Sequence, residues 1–272
     1  MASEATRESP LVERLVAPNP GPFTGPGTNT YLIGTGERRA VLDPGPDDPA
    51  HIDRILEAAE EDHASIDLIL VTHHHRDHLP GAHLLSDRTG APVTADARIA
   101  GVRRPLSHRL RVPLPGCTVE ALFTPGHTSD HYCFLLEEEG SLFSGDLIVG
   151  SGTVTVSPPD GDMDEYLASL RSLQELGIRL IYPGHWPRVD DPHGKIDEYI
   201  DHRMEREREV IAALRAGDRR PSEMVVRIYP GLDPRLVGAA RSSVTAHLIS
   251  LERRGEVRAI EGPADKEYAL AG

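Results

Sequence analysis

Residues 73–78 read His-His-His-Arg-Asp-His, directly behind the apolar run Leu68, Ile69, Leu70, Val71. A short uninterrupted run of Leu, Ile and Val reads as a buried strand, so imidazoles and a carboxylate are packed at its mouth with H-x-H-x-D-H spacing. Three further ligand-type residues follow at wide intervals, each closing its own apolar segment. They are His127 in Thr124-Pro125-Gly126-His127-Thr128, Asp146 in Phe143-Ser144-Gly145-Asp146, and His185 in Tyr182-Pro183-Gly184-His185. Seven nitrogen or oxygen donors at strand ends are enough for two divalent ions sharing one bridge, which is the inventory of a metal-dependent hydrolase. A surface loop of histidines would explain the first motif alone, but not four separated motifs that agree in kind and order.

Two histidines one residue apart on an extended backbone project to the same side. His73 and His75 can therefore grip one ion together, and His127 completes a three-histidine site with an open fourth position for water. Asp77, His78 and His185 suit a second ion, and Asp146 is the natural bridge. The expected chemistry is a hydroxide held between two Zn(II) ions, with Mn(II) and Fe(II) as the competing metals, since the donors are N and O without thiolate. Asp77 is expected to bind the second ion and to orient the hydroxide, which makes it the catalytic residue. His74, between ligands, should point away. Asp43, at a strand end before Pro44-Gly45, is expected to support the histidines through hydrogen bonds without binding metal. For His131 two roles stand side by side, a partner that fixes a ligand's tautomer and plain packing.

Along the chain, strand and amphipathic helix alternate. Strands are expected at 29–33, 39–42 and 67–71, with helices at 49–62 (Ile52, Ile55, Leu56 and Ala59 on one face) and around 81–87. Residues 101–115 read as a loop whose Arg103, Arg104, Arg109 and Arg111 form either a solvated crossover or a greeting for an anionic substrate. Strands at 119–123, 132–136, 141–143 and 178–182 and a helix at 162–176 complete an α/β chain that fits an αβ/βα sandwich. Then come helices at 196–215, 221–228 and 234–253, the last with Leu236, Val237, Ala240, Val244, Leu248 and Leu251 inward, and strands at 256–260 and 267–270. Helix, helix, helix and β-ribbon is the order of a winged helix. The expected division is a catalytic domain over 1–195 and a connector helix plus winged helix over 196–272.

Composition narrows the setting. Cys117 and Cys133 have no metal or redox spacing and read as buried small hydrophobes in a reducing, cytoplasmic compartment. No apolar run approaches the ~20 residues of a membrane span, and the start lacks a basic region followed by an apolar stretch, so no membrane partner is expected. A net charge of -14 argues against a protein coated in basic surface for nucleic acid. Locally the balance reverses: residues 219–258 hold eight Arg against four acids, +4, which leaves -18 on the remainder. Any nucleic-acid contact of the winged helix would then be electrostatic and salt-sensitive, with Arg241, Arg253 and Arg254 lying off the inward stripe.

With these motifs the chain resembles the metallo-β-lactamase-fold hydrolases, and among them the branch typified by beta-lactamase-like protein 2, an endoribonuclease with a C-terminal winged helix. Residues 19–32, Asn-Pro-Gly-Pro-Phe-Thr-Gly-Pro-Gly-Thr-Asn-Thr-Tyr-Leu, resemble that branch's N-terminal signature. The resemblance runs through the metal motifs and the helix at 196–208 to the C-terminal ribbon. It implies a phosphodiesterase acting on single-stranded RNA. A thioester or lactone hydrolase of glyoxalase II-like chemistry, working on a small acyl substrate, is the alternative, because the same hydroxide attacks carbonyl carbon. That resemblance would predict an all-helical C-terminal region, whereas this chain ends in a β-ribbon. A third class is a DNA-binding regulator that senses metal, for which the full ligand set is superfluous. A homodimer formed through the winged helix is the other role open to that domain.

Overall fold

The computed structural model describes residues 5–260 and 266–271. Residues 1–4, 261–265 and 272 lie outside the described residues. The chain forms two compact units. The first holds the chain to Thr124 with Asp130–Val154 and Glu175–His193, and the second holds Pro125–Ser129, Thr155–Gln174 and the chain from Gly194 onward. The last cut falls close to the expected 195/196 boundary, but the second unit also takes two earlier segments, one of which carries His127.

In the first unit the strands are β1 (Thr6–Arg7), β2 (Val12–Val16), β3 (Asn29–Ile33), β4 (Arg38–Leu42), β5 (Ser65–Leu70), β6 (Val93–Ala95) and β7 (Arg104–Pro105), then β8 (Leu110–Leu114), β9 (Cys117–Phe123), β10 (Tyr132–Leu136), β11 (Ser141–Gly145) and β12 (Leu180–Pro183). Its helices are α1 (Pro49–Glu61) and α2 (Pro80–Thr89). Strands β1 to β7 form one sheet in sequence order, antiparallel as far as β4 and parallel beyond it. The second sheet runs β12-β11-β10-β9-β8, antiparallel except where β11 meets β12.

Alternation along the strands explains the layering. Tyr31, Ile33, Ala40, Leu42, Leu68 and Leu70 share one core with Phe134, Leu136, Phe143 and Tyr182 of the second sheet. Their neighbours Leu32, Val41 and Ile69 share the other core with Ile52 and Ile55 of α1 and Leu85 of α2. Strand β5 is thus covered on both faces, which is why it reads as an unbroken apolar run. Helix α1 starts where the sequence places it: Pro49 takes the first turn, and the Asp48 carboxylate accepts the Ala50 and His51 N–H groups at 2.9 and 3.4 Å.

The expected loop over 101–115 instead contains two strands, β7 and β8, which take seven of its fifteen residues. Strand β8 pairs with β9 at the edge of the second sheet, where Pro113 is tolerated. Of the four arginines in this stretch, Arg109 pairs with Glu120 and Arg111 with Glu137, while Arg103 and Arg104 are exposed. Among the described residues no helix is long and apolar enough to cross a membrane.

The second unit contains α3 (Met163–Gln174), most of α4 (Pro192–Arg215), α5 (Pro221–Ile228), α6 (Val237–Arg253) and the antiparallel pair β13 (Val257–Ile260) and β14 (Glu267–Leu270). Val210, Leu214, Met224, Val225, Val244, Leu248, Leu251, Val257 and Tyr268 close a winged-helix core. Val237, expected inward, is 43% exposed. It opens α6 directly behind a 3₁₀ turn at Pro234–Leu236, ahead of the stretch in which the helix's buried residues begin at Ser243. Two of the three arginines offered to nucleic acid are engaged inside the unit: Arg253 pairs with Asp162 and Asp164, and Arg254 with Glu207 and Glu256.

Candidate metal centre

The histidine cluster begins where β5 ends, and Asp43, at the end of the neighbouring β4, fixes its first turn. Asp43 Oδ1 accepts the Thr72 N–H at 2.8 Å, while Oδ2 accepts the Thr72 hydroxyl at 2.7 Å and His78 Nδ1–H at 2.8 Å. The Thr72 hydroxyl, having donated its proton to Asp43, accepts from His73 Nδ1 at 2.9 Å. Asp43 therefore holds two histidines of the cluster from behind. His74 turns out to solvent and meets Asp130 at 3.0 Å, as a residue between two inward neighbours must.

Four side chains of the first unit, Asp77, His78, Asp146 and His185, bring their donor atoms within 4.8 Å of one another. His185 Nε2 stands 3.2 Å from Asp77 Oδ2 and 3.3 Å from Asp146 Oδ1, and the two Nε2 atoms of His78 and His185 are 3.4 Å apart. His78 Nε2 lies 3.5 Å from Asp146 Oδ1 and 3.7 Å from Asp77 Oδ2. Ligands bound ~2.0–2.2 Å from a tetrahedral ion stand about 3.3–3.6 Å from each other, so the spacing fits a divalent ion at the centre of this group. Gly184 makes room for it: a Cβ there would stand 2.8 Å from Asp146 Oδ1 and 2.9 Å from His78 Cε1.

A second group with the same 4.8 Å limit consists of His73, His75, Asp146 and His127. Both groups use Asp146, so the sequence-expected bridge is the residue they share. His127 rides on the five residues Pro125–Ser129, which are strung between Thr124 and Asp130 of the first unit. Its Nδ1 donates to Thr155 O at 2.8 Å, and His185 Nδ1 reaches Gly27 O at 3.3 Å. With His73 and His78, four histidines thus present Nδ1–H to an oxygen and keep the Nε2 lone pair for the site, the tautomer a metal requires.

His131, for which a supporting role and plain packing are both expected, lies behind Asp146. Its Nε2 accepts the backbone N–H of Asp146 at 3.2 Å and its Nδ1 lies 3.0 Å from Thr124 Oγ1. It orients the backbone of Asp146, and its ring lies 5.2 Å from that of His73. Gly145 allows this approach at a φ of 47°, where a Cβ would come within 2.7 Å of His131 Nε2.

The N-terminal motif proves to be the cradle of His185, which the sequence left unassigned. Asn29 N–H donates to Gly184 O at 2.7 Å, and its side-chain amide donates to Pro183 O at 2.9 Å and to Trp186 O at 2.8 Å. The Tyr31 hydroxyl also donates to Pro183 O, at 2.8 Å. Thr30 continues the network, donating to Asp43 O at 2.8 Å and meeting His51 Nε2 at 2.9 Å. The Asn-Thr-Tyr run in the opening signature was the only sequence signal for these roles.

Charge is concentrated here. Burial alone would raise both carboxyls, yet the imidazoles of His78 and His185 outweigh it, holding Asp77 down at about 2 and Asp146 well below the ordinary carboxylate range. Burial would lower the imidazoles, but the carboxylates lift His185 to about 9 and His78 well above its usual value. Buried anions in this number call for positive charge among them, which a divalent ion supplies.

Comparison with known proteins agrees with this geometry. The family model described as Metallo-beta-lactamase superfamily matches residues 23–116 and 101–185, and the Beta-lactamase associated winged helix domain matches 221–266. The chain is 35% identical over 285 residues to Beta-lactamase-like protein 2 homolog of Drosophila melanogaster, covering 97% of this chain and 94% of that protein. It is 37% identical over 210 residues to Atrochrysone carboxyl ACP thioesterase of Aspergillus fumigatus, covering 76% of this chain and 65% of that one. A crystal structure of a Beta-lactamase domain protein from Burkholderia ambifaria shares the fold with a TM-score of 0.86 at 20% identity, over 99% of this chain and 94% of the other. The chain belongs to the metallo-β-lactamase superfamily and carries that superfamily's associated winged helix at its C-terminal end.

Proposed function

We propose that the protein is a binuclear metal-dependent hydrolase that cleaves the phosphodiester backbone of single-stranded RNA. The observation that carries the hydrolase reading is the pair of four-residue groups joined at Asp146. Two divalent ions here would bring the pKa of a shared water towards neutrality and polarise the group under attack. Zn(II) suits the N and O donor set, with Mn(II) and Fe(II) next.

The chain's own residues supply the rest. Asp77, the least buried member of its group at 28% side-chain exposure, would bind the second ion and orient the attacking water. Asp43 and Asn29 keep His78 and His185 in the metal-binding tautomer and place. For the substrate, a cavity of about 260 Å³ in the second unit is lined by Arg241, Ser242, Thr245 and Lys266, where Arg241 and the two hydroxyls suit a backbone phosphate and Lys266 is paired with Glu252. Arg241 is exposed and makes no ion pair among the described residues. Cys117 and Cys133, both buried free thiols, support a reducing, cytoplasmic setting.

Thioester hydrolysis is the second reading, favoured by one observation, the similarity to a protein whose name is a carrier-protein thioesterase. The metallated protein should be assayed against single-stranded RNA and a panel of acyl thioesters, each with a chelator control. Chelator-sensitive RNA cleavage that declines with rising salt and is weakened by Arg241→Glu is expected. Thioester turnover without RNA cleavage would reverse the order of the two readings.

A further inference from the structure

The carboxylate of Asp43 reaches one histidine of each four-residue group, His78 directly and His73 through the Thr72 hydroxyl. Its backbone lies in the left-handed region at a φ of 48°, which residues with a side chain rarely adopt. The turn Asp43-Pro44-Gly45 is held there from two sides. Gly81 N–H donates to Gly45 O at 2.9 Å, and a Cβ at Gly81 would stand 2.6 Å from Pro44 O. Opposite, the Thr30 hydroxyl donates to Asp43 O at 2.8 Å, and a Cβ at Gly45 would stand 3.3 Å from His51 Cδ2. All of these residues lie in the first unit.

Behind Thr30 the hydrogen bonds can run in one direction only. Arg54 Nη2 lies 2.9 Å from His51 Nδ1, and a guanidinium can only donate. His51 Nδ1 therefore accepts, which leaves the proton of the neutral ring on Nε2. That proton goes to Thr30 Oγ1 at 2.9 Å, whose own proton is committed to Asp43 O. Arg54 also donates to Val16 O at 3.2 Å, tying α1 to the end of β2. Thr30, Asp43 and His51 are buried, so removing one partner leaves a polar group of the next unmet.

We infer that Arg54, His51 and Thr30 form a directed relay of hydrogen bonds that fixes the backbone of Asp43 and, through its carboxylate, positions His73 and His78 for metal. None of the three belongs to either four-residue group, so they are positioning residues. A displacement of Asp43 turns both imidazoles without removing either, and so changes the geometry at both ions together.

The inference rests on the reading that these groups hold metal. The full-length protein should be measured for Zn(II) affinity by competition with a chromophoric chelator, and for the ligand-field absorption of its Co(II) form. Thr30→Val, nearly isosteric but without the hydroxyl, is expected to weaken Zn(II) about three- to tenfold and to shift the Co(II) bands, while Thr30→Ser recovers most of both. His51→Leu should change both in the same direction. The double variant should be no worse than Thr30→Val alone, since His51 acts through Thr30. Ile66→Ala, which opens a cavity elsewhere in the core shared with α1, should lower the melting temperature and leave affinity and bands unchanged. Wild-type affinity and bands in Thr30→Val would overturn the proposal. Losses that add in the double variant would overturn it too, as would an equal loss in Ile66→Ala, the mark of general loosening. Should Thr30→Val fail to fold, wild-type affinity and bands in His51→Leu would overturn it instead. A wild-type protein that takes up no metal would overturn the metal reading itself, which separates that failure from this one.

Discussion

Asp43 satisfies three donors with two oxygens, and two of those donors lead directly into the histidine cluster. Gly184 does the opposite service by offering no side chain at all. Its φ is not positive, so the requirement is purely steric, set by Asp146 Oδ1 and His78 Cε1 less than 3 Å from where a Cβ would sit. Gly184→Ala is therefore expected to leave the fold intact and to weaken metal binding at least about tenfold, read by chelator competition alongside a thermal melt. Wild-type affinity in that variant would mean that the Asp146–His78 spacing does not matter to the ion. The seven donor residues were legible in the sequence because each sits at the end of an apolar run. Asp43 was legible for the same reason. Asn29 and Tyr31 were not, because their partner Pro183 lies 154 and 152 residues away and nothing in local patterning records such a bond.

At the level of elements, strands buried on both faces announced themselves, and β5 is the clearest case. Strand β8 was missed because Arg111 and Pro113 interrupt the pattern, features that an edge strand accepts and a central one does not. Val237 keeps the helical phase of the stripe but opens α6, ahead of the stretch from Ser243 that packing buries. Helix α1 shows a further consequence of packing that the periodicity did not reveal. His51 is buried, with Arg54 Nη2 donating to its Nδ1 at 2.9 Å and Thr30 Oγ1 at its Nε2. Burial and the Arg54 charge hold its pKa down at about 4, against the opposing pull of Asp48. Since the unfolded imidazole titrates near 6.5, its contribution to stability is present above that pH and is lost as the pH falls towards 4. By linkage the loss reaches about 2 kcal/mol at pH 5. His51→Gln and the wild-type protein, both stripped of metal, should therefore differ less in unfolding free energy at pH 5 than at pH 7.5, by about that amount. A gap independent of pH would show that His51 does not fold as the neutral ring.

Across the whole molecule, a chain of -14 gathers its donor residues behind the strand ends of two sheets. The order of metal motifs and the helix–helix–helix–ribbon ending were enough to foresee the family and both folds. The participation of residues 125–129 and 155–174 in the second unit was not foreseeable, because it depends on the close approach of Gly126 to Tyr166 and on the bonds of Asp162. On the proposed function, Asp146 bridges a two-ion centre. This is tested most directly by counting metal ions per chain after reconstitution, by elemental analysis of the wild-type protein and of Asp146→Ala. The expected result is two ions in the wild type and no more than one in the variant, with the variant still folded. Saturation of the wild type at one ion, or retention of both ions without Asp146, would contradict the account.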